Sequence, residues 1–149
     1  MCALIEGLPG ASHVPNVRDV SAAEEPRYEP FASWYHDWVA APDADLVARS
    51  LLGLIGAVTG QRILDLGCGE GRIARLLAGH GNDVVGVDLS GRLLEIARRG
   101  SNHRITYLHA DACTTDWWDG VAFDGVVSSM ALMDIDDLFF DFASVILRW

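Results

Sequence analysis

Short runs of branched apolar residues alternate along this chain with segments of helical periodicity, and that alternation narrows the fold more than any other property of the sequence. After Pro42, which suits a first helical turn, Val47, Leu51, Leu54, Ile55 and Val58 fall on one helical face, and Gly60 is expected to end that helix. A buried strand is expected over 62–66, a helix over 72–78, a strand over 84–87 ending at Asp88, and a helix over 92–99 capped by Ser90. Further strands are expected at 105–108 and 123–127, then a last helix over 135–149 started by Asp134 or Asp136. Strands separated by helices of this length pair in parallel through right-handed crossovers. The expected fold class is therefore α/β, a doubly wound parallel sheet with helices on both faces.

A chain of 149 residues with 50% hydrophobic and 21% charged side chains can bury one core without disulfides or a metal. Its 21 acidic and 11 basic residues give a net charge of −10, which disfavours nucleic acid as a partner. No apolar run approaches a membrane span, and the start Met1, Cys2, Ala3, Leu4 lacks the basic opening of a secretory signal, so no membrane partner and a cytoplasmic location are expected. Every basic residue is arginine, which excludes Schiff-base and P-loop lysine chemistry. Cys2, Cys68 and Cys113 form no CxxC pair, and neither a disulfide nor a metal site is expected. Residues 1–26, with Pro9, Pro15 and Pro26, read as a flexible tail. Residues 27–40 read as an aromatic lid at the start of a domain spanning 27–149.

Ligands of such sheets bind beyond the carboxyl ends of the strands. The first strand ends in Asp65, Leu66, Gly67, Cys68, Gly69, Glu70 and Gly71, and a helix follows at once. Glycine there permits positive φ and close approach of a ligand to the backbone, and the helix start offers unpaired N–H groups. Asp88, at the end of the second strand, is suited to accept two hydrogen bonds from ribose hydroxyls. The dinucleotide pattern needs glycine at position 72, where this chain has Arg72. A carboxylate at Asp65 suits an ammonium group better than a pyrophosphate.

With these residues in place the sequence resembles the class I S-adenosylmethionine-dependent methyltransferases, of Rossmann-like fold and small-molecule type. Four motifs carry the resemblance in order: Ile63 to Arg72 with its three glycines, Gly86 to Ser90, His109 to Ala112, and Phe123 to Ser129. It implies S-adenosyl-L-methionine as cofactor and a small-molecule acceptor methylated by in-line displacement. It also implies that Asp65, Gly67 and Gly69 line the methionine part, Asp88 holds the ribose and Leu89 packs on the adenine. Asp111 would accept from the adenine amino group with Ala112 beside it, and Ser128 and Ser129 would face the methyl group. Cys68 reads as a small packing residue.

The general base is open. His36 in the lid and Asp134 after the fourth strand are the candidates, with His109 third; many relatives have histidine where this chain has Asp134. Trp34, Trp38, Trp117 and Trp118 could line one aromatic cleft, although packing is the plainer reading for each, as it is for Met130, Leu132 and Met133. The family's sheet has further strands after the point where this chain stops. The resemblance therefore implies C-terminal strands missing here, with a further segment or a homodimer partner covering the open sheet edge. The competing reading is a non-catalytic module that keeps the fold to bind cofactor or a partner.

Overall fold

A computed structural model describes residues 26–39, 45–56, 58–114 and 116–135. A 3-10 turn at Glu29–Phe31 leads into α1 (Ala32–Val39), followed by α2 (Asp45–Ile55), β1 (Arg62–Leu66), α3 (Arg72–Gly79), β2 (Asp83–Asp88), α4 (Gly91–Arg99), β3 (Ile105–His109) and β4 (Gly125–Val127), with a second 3-10 turn at Leu132–Asp134. The four strands form one sheet in the order β3-β2-β1-β4, and every pairing is parallel. The alternation expected from sequence is the architecture observed. Of the expected tail at 1–26 and last helix over 135–149, residues 1–25 and 136–149 lie outside the described residues; the Pro26 carbonyl already accepts the Glu29 N–H, and Ile135 is extended rather than helical.

Alternation along each strand sorts side chains to two faces. Ile63, Val84, Ile105, Tyr107 and Val127 pack against Ile73, Ala74, Leu77 and Ala78 of α3 and Leu94 and Ala97 of α4, with Leu51 and Ile55 of α2 at the margin. The opposite face carries Leu64, Leu66, Val87 and Phe123, flanked by Trp117 and Trp118 from the β3–β4 connection. Described helices cover the first face, and this connection crosses the second. Leu64, Leu66, Leu77 and Leu94 are fully buried, and each contributes about 1.5–3 kcal/mol of apolar transfer.

Local signals explain most boundaries. Ser90 caps α4 as expected, its Oγ accepting from the Leu93 N–H at 3.2 Å. Helix α2 stops at Ile55, earlier than the apolar periodicity suggested, and Gly56, at φ 75°, receives the turn that had been assigned to Gly60. Strand β4 begins at Gly125, two residues later than expected, because Phe123 turns into the second core and Asp124 accepts the Arg62 N–H at 2.8 Å. Met130, Leu132 and Met133, read as packing residues, are at least half exposed instead.

Asn82 is the polar pin of the first face. Fully buried, it donates from Nδ2 to the carbonyls of Val58 (3.1 Å) and Leu77 (3.0 Å) and accepts the Gln61 N–H at 3.1 Å. Asn82→Ala would take these partners from the Val58 carbonyl and the Gln61 N–H, while the Leu77 carbonyl keeps the His80 and Asn82 N–H groups, and should lower unfolding free energy by about 2–3 kcal/mol. Urea denaturation checks this, and a loss below about 1 kcal/mol would contradict it. No helix among the described residues is long and apolar enough to cross a membrane.

Candidate functional site

The parallel register sets the carboxyl ends of the strands side by side, with Leu66 opposite Val87 and Asp88 opposite His109. Because β4 lies on the far side of β1 from β2, strand order reverses at β1, where the glycine loop begins. The N–H groups of Gly67 and Cys68 both donate to the Val87 carbonyl, at 2.8 and 3.0 Å. Gly67, Gly69 and Gly71 have φ of 69°, 55° and 80°, a left-handed backbone that side chains with a Cβ resist. A Cβ on Gly67 would stand 2.3 Å from that of Ala131, so the loop and the segment after β4 touch through the space glycine leaves.

Two carboxylates organise this loop. Asp88 accepts the Gly69 N–H at 2.7 Å through one oxygen and the Ser90 N–H at 2.8 Å through the other. It thus joins the loop to the start of α4. Burial pushes its pKa up against the lowering effect of those two N–H groups. Asp65 is 1% exposed. Burial raises its pKa to about 7, opposed by the Ala74 N–H that it accepts at the start of α3 and reinforced by the Asp88 and Glu70 carboxylates. Its Oδ2 is buried without a hydrogen-bond partner. A buried acceptor of this kind is costly in isolation and suited to a cationic donor. Cys68 is buried, and its thiol is pushed well up by that burial, which leaves it unsuited to nucleophilic work.

The remaining expected site residues occupy the same rim. Leu89 is 47% exposed beside Asp88, with its carbonyl held by His109 Nε2 at 2.9 Å; His109 is thereby committed to shaping that loop. Asp111 closes an Asx turn, accepting the Cys113 N–H at 2.8 Å, and Ala112 lies within it. Ser128 Oγ donates to the Leu66 carbonyl at 2.9 Å, across the gap between β4 and β1. The candidate bases are not brought together. Asp134 is paired with Arg27 and accepts from Tyr28 Oη at 3.2 Å, whereas His36 faces Glu70. The tryptophans form two places rather than one cleft: Trp34 and Trp38 stack at 6.1 Å on α1, both exposed, and Trp117 and Trp118 flank the second core.

A family model described as a methyltransferase domain matches residues 63–146. The chain belongs to this family. It is 37% identical over 83 residues to a demethylmenaquinone methyltransferase of Clavibacter sepedonicus, covering 54% of this chain and 34% of that protein. Among solved structures, a TehB-like SAM-dependent methyltransferase from Corynebacterium glutamicum aligns with TM-score 0.58 at 30% identity, covering 70% of this chain and 55% of that one. A phosphoethanolamine N-methyltransferase of Haemonchus contortus, solved with S-adenosylhomocysteine, aligns with TM-score 0.55 at 35% identity, covering 62% of this chain and 23% of its own. The chain spans about a third of the curated relative just named.

Several contacts of this methyltransferase-family chain had no sequence signal. Glu29 accepts the Ser90 hydroxyl at 2.5 Å and the Arg92 N–H at 3.3 Å, placing the N-terminal segment on the start of α4. Tyr35 Cε1 lies 3.9 Å from where a Cβ of Gly69 would stand, and Tyr28 meets Tyr35 edge-on at 5.2 Å. Residues 27–36 therefore touch the glycine loop, the start of α4 and Asp134. Glu70 is 4% exposed and paired with Arg75 at 2.6 Å.

Proposed function

We propose that this chain binds S-adenosylmethionine at the carboxyl end of its sheet and methylates a small-molecule acceptor. The observation that carries the reading is the buried, unpartnered oxygen of Asp65 beneath the glycine loop, a place for an ammonium group. Asp65 would hold that ammonium, with Gly67, Gly69 and Ser128 lining the methionine part. Asp88 would take the ribose hydroxyls, Leu89 the adenine face, and Asp111 with Ala112 the adenine edge. The cofactor supplies an electrophilic methyl group on a sulfonium, so the protein's task is to position the acceptor in line with it, worth up to about 7–11 kcal/mol when geometry is good. Residues 27–40 act as a lid. If the acceptor must lose a proton, Asp134 or His36 accepts it only after leaving Arg27 or Glu70.

The relative named for demethylmenaquinone puts quinone-type acceptors first in a product assay. A reducing, cytoplasmic location suits the buried thiol of Cys68. Among the described residues β4 is an end strand of the sheet, and we infer that further strands of a longer protein, or a second copy, meet its outer edge.

Calorimetric titration with S-adenosylmethionine and with NAD tests the ligand. One-to-one binding of the former is expected, and tighter binding of NAD would sink the assignment. Asp88→Ala should weaken binding by about 1.5–3 kcal/mol, the range for hydrogen bonds to a charged group, and unchanged affinity would remove the ribose role.

A further inference from the structure

We propose that Glu70 is a positioning residue that joins the glycine loop to helix α1, with His36 latching α1 onto it by a proton-dependent contact. Glu70 is fixed from below: Arg75 bonds its carboxylate and its carbonyl, each at 2.6 Å, so loop and α3 move together. On its other side His36 Nδ1 stands 3.6 Å from Glu70 Oε2, beyond hydrogen-bond length, and that nitrogen is buried without a hydrogen-bond partner. A neutral imidazole with its hydrogen on Nε2 would turn a buried lone pair toward a carboxylate, an unsatisfied and repulsive contact, and one with its hydrogen on Nδ1 would offer only a neutral donor at 3.6 Å. A protonated imidazole makes the same contact an ion pair.

Other charges facing His36 do not decide the sign. Asp37 lies beside it on α1, Arg75 stands behind Glu70, and Arg92, Glu95 and Arg99 of α4 line the same groove. With Glu70 counted, three arginines balance three carboxylates. The Glu70 contact therefore sets the response. Tyr35, the residue before His36, rests over Gly69, so release of His36 would lift an aromatic ring off the loop. That the latch governs cofactor retention rests on the function proposed above; the latch itself acts in the unliganded chain.

Hydrogen exchange of α1 in the full chain, expressed as protection relative to intrinsic chemical exchange, tests it between roughly pH 5.5 and 8, the span in which imidazoles titrate. Protection of residues 32–39 should fall several-fold as pH rises. His36→Gln and Glu70→Gln should each flatten the profile, and the double variant should add nothing. A flat wild-type profile, or one that persists in His36→Gln, overturns the proposal; this variant leaves the Glu70–Arg75 pair intact and decides the matter if Glu70→Gln does not fold. The S-adenosylmethionine dissociation rate of wild type relative to His36→Gln should rise with pH in parallel, the ratio cancelling the effect of Asp65 that both proteins share. Failure to bind that compound at all would end the function assignment while the exchange profile still decides the latch.

Discussion

Gly71→Ala is expected to lower the unfolding free energy by about 2–5 kcal/mol. Two costs add at this position. Its φ of 80° is left-handed, which disfavours any Cβ by about 1–2 kcal/mol. The new methyl would stand 2.2 Å from Tyr107 Oη, 2.8 Å from its Cζ and 3.0 Å from Ala97 Cβ. Tyr107 cannot step aside, because its ring already fills the space left by Gly86, where a Cβ would lie 2.9 Å from Tyr107 Cδ1. Gly60 is the control: its φ is 70°, yet nothing lies within 4 Å of an added Cβ, so Gly60→Ala should show the backbone cost alone. Urea denaturation of both variants isolates the packing part. A Gly71→Ala loss no larger than that of Gly60→Ala would remove Tyr107 as the reason for glycine here.

Asp65→Asn is expected to move stability and affinity in opposite directions. The folded-state pKa of Asp65 is raised from 3.8 to about 7, so the folded chain holds this proton more tightly than the unfolded one. By linkage, the stability contribution of the protonated group is present below about pH 4 and is lost as pH rises to about 7, with no further change above. In the unliganded chain at pH 8 the wild type carries a buried, half-paired carboxylate, and asparagine relieves it. Unfolding free energy at pH 8 should then rise by an amount on the order of 1–3 kcal/mol, with little difference near pH 4. Affinity for S-adenosylmethionine should drop by about 1.5–3 kcal/mol, because a charge-assisted bond is lost. In the wild type that affinity should also weaken below about pH 7, where Asp65 must release its proton before it can receive an ammonium. If affinity holds while stability rises, Asp65 is only a cap for α3; if both fall, its buried oxygen serves the fold.

The sequence was legible where structure is local. Glycines at 67, 69 and 71 announced the left-handed turn because no other residue adopts that backbone cheaply, and Ser90 announced α4 because the cap bond spans three residues. Asp65 and Asp88 could be singled out because strand ends are readable from the apolar runs before them. That reasoning failed where competing local signals were equal. Gly60 is the end expected for α2, yet the helix stops at Ile55 and Gly56, four residues earlier, already takes the left-handed backbone that Gly60 also adopts. Met130, Leu132 and Met133 had an apolar composition without a period to say which way they face.

By itself, then, the sequence determined the order of elements, the parallel sheet, the glycine loop and the acids at its strand ends, all set by periodicity and by backbone angles over a few residues. The tertiary structure alone decided that Glu29 meets Ser90, that Arg27 and Tyr28 reach Asp134, that Glu70 stands between Arg75 and His36, and that Oδ2 of Asp65 is left without a partner. Glu29 and Ser90 are 61 residues apart, and Arg27 and Asp134 are 107 apart. Contacts at such separations depend on how the strands stack, and neither propensity nor spacing along the chain encodes them.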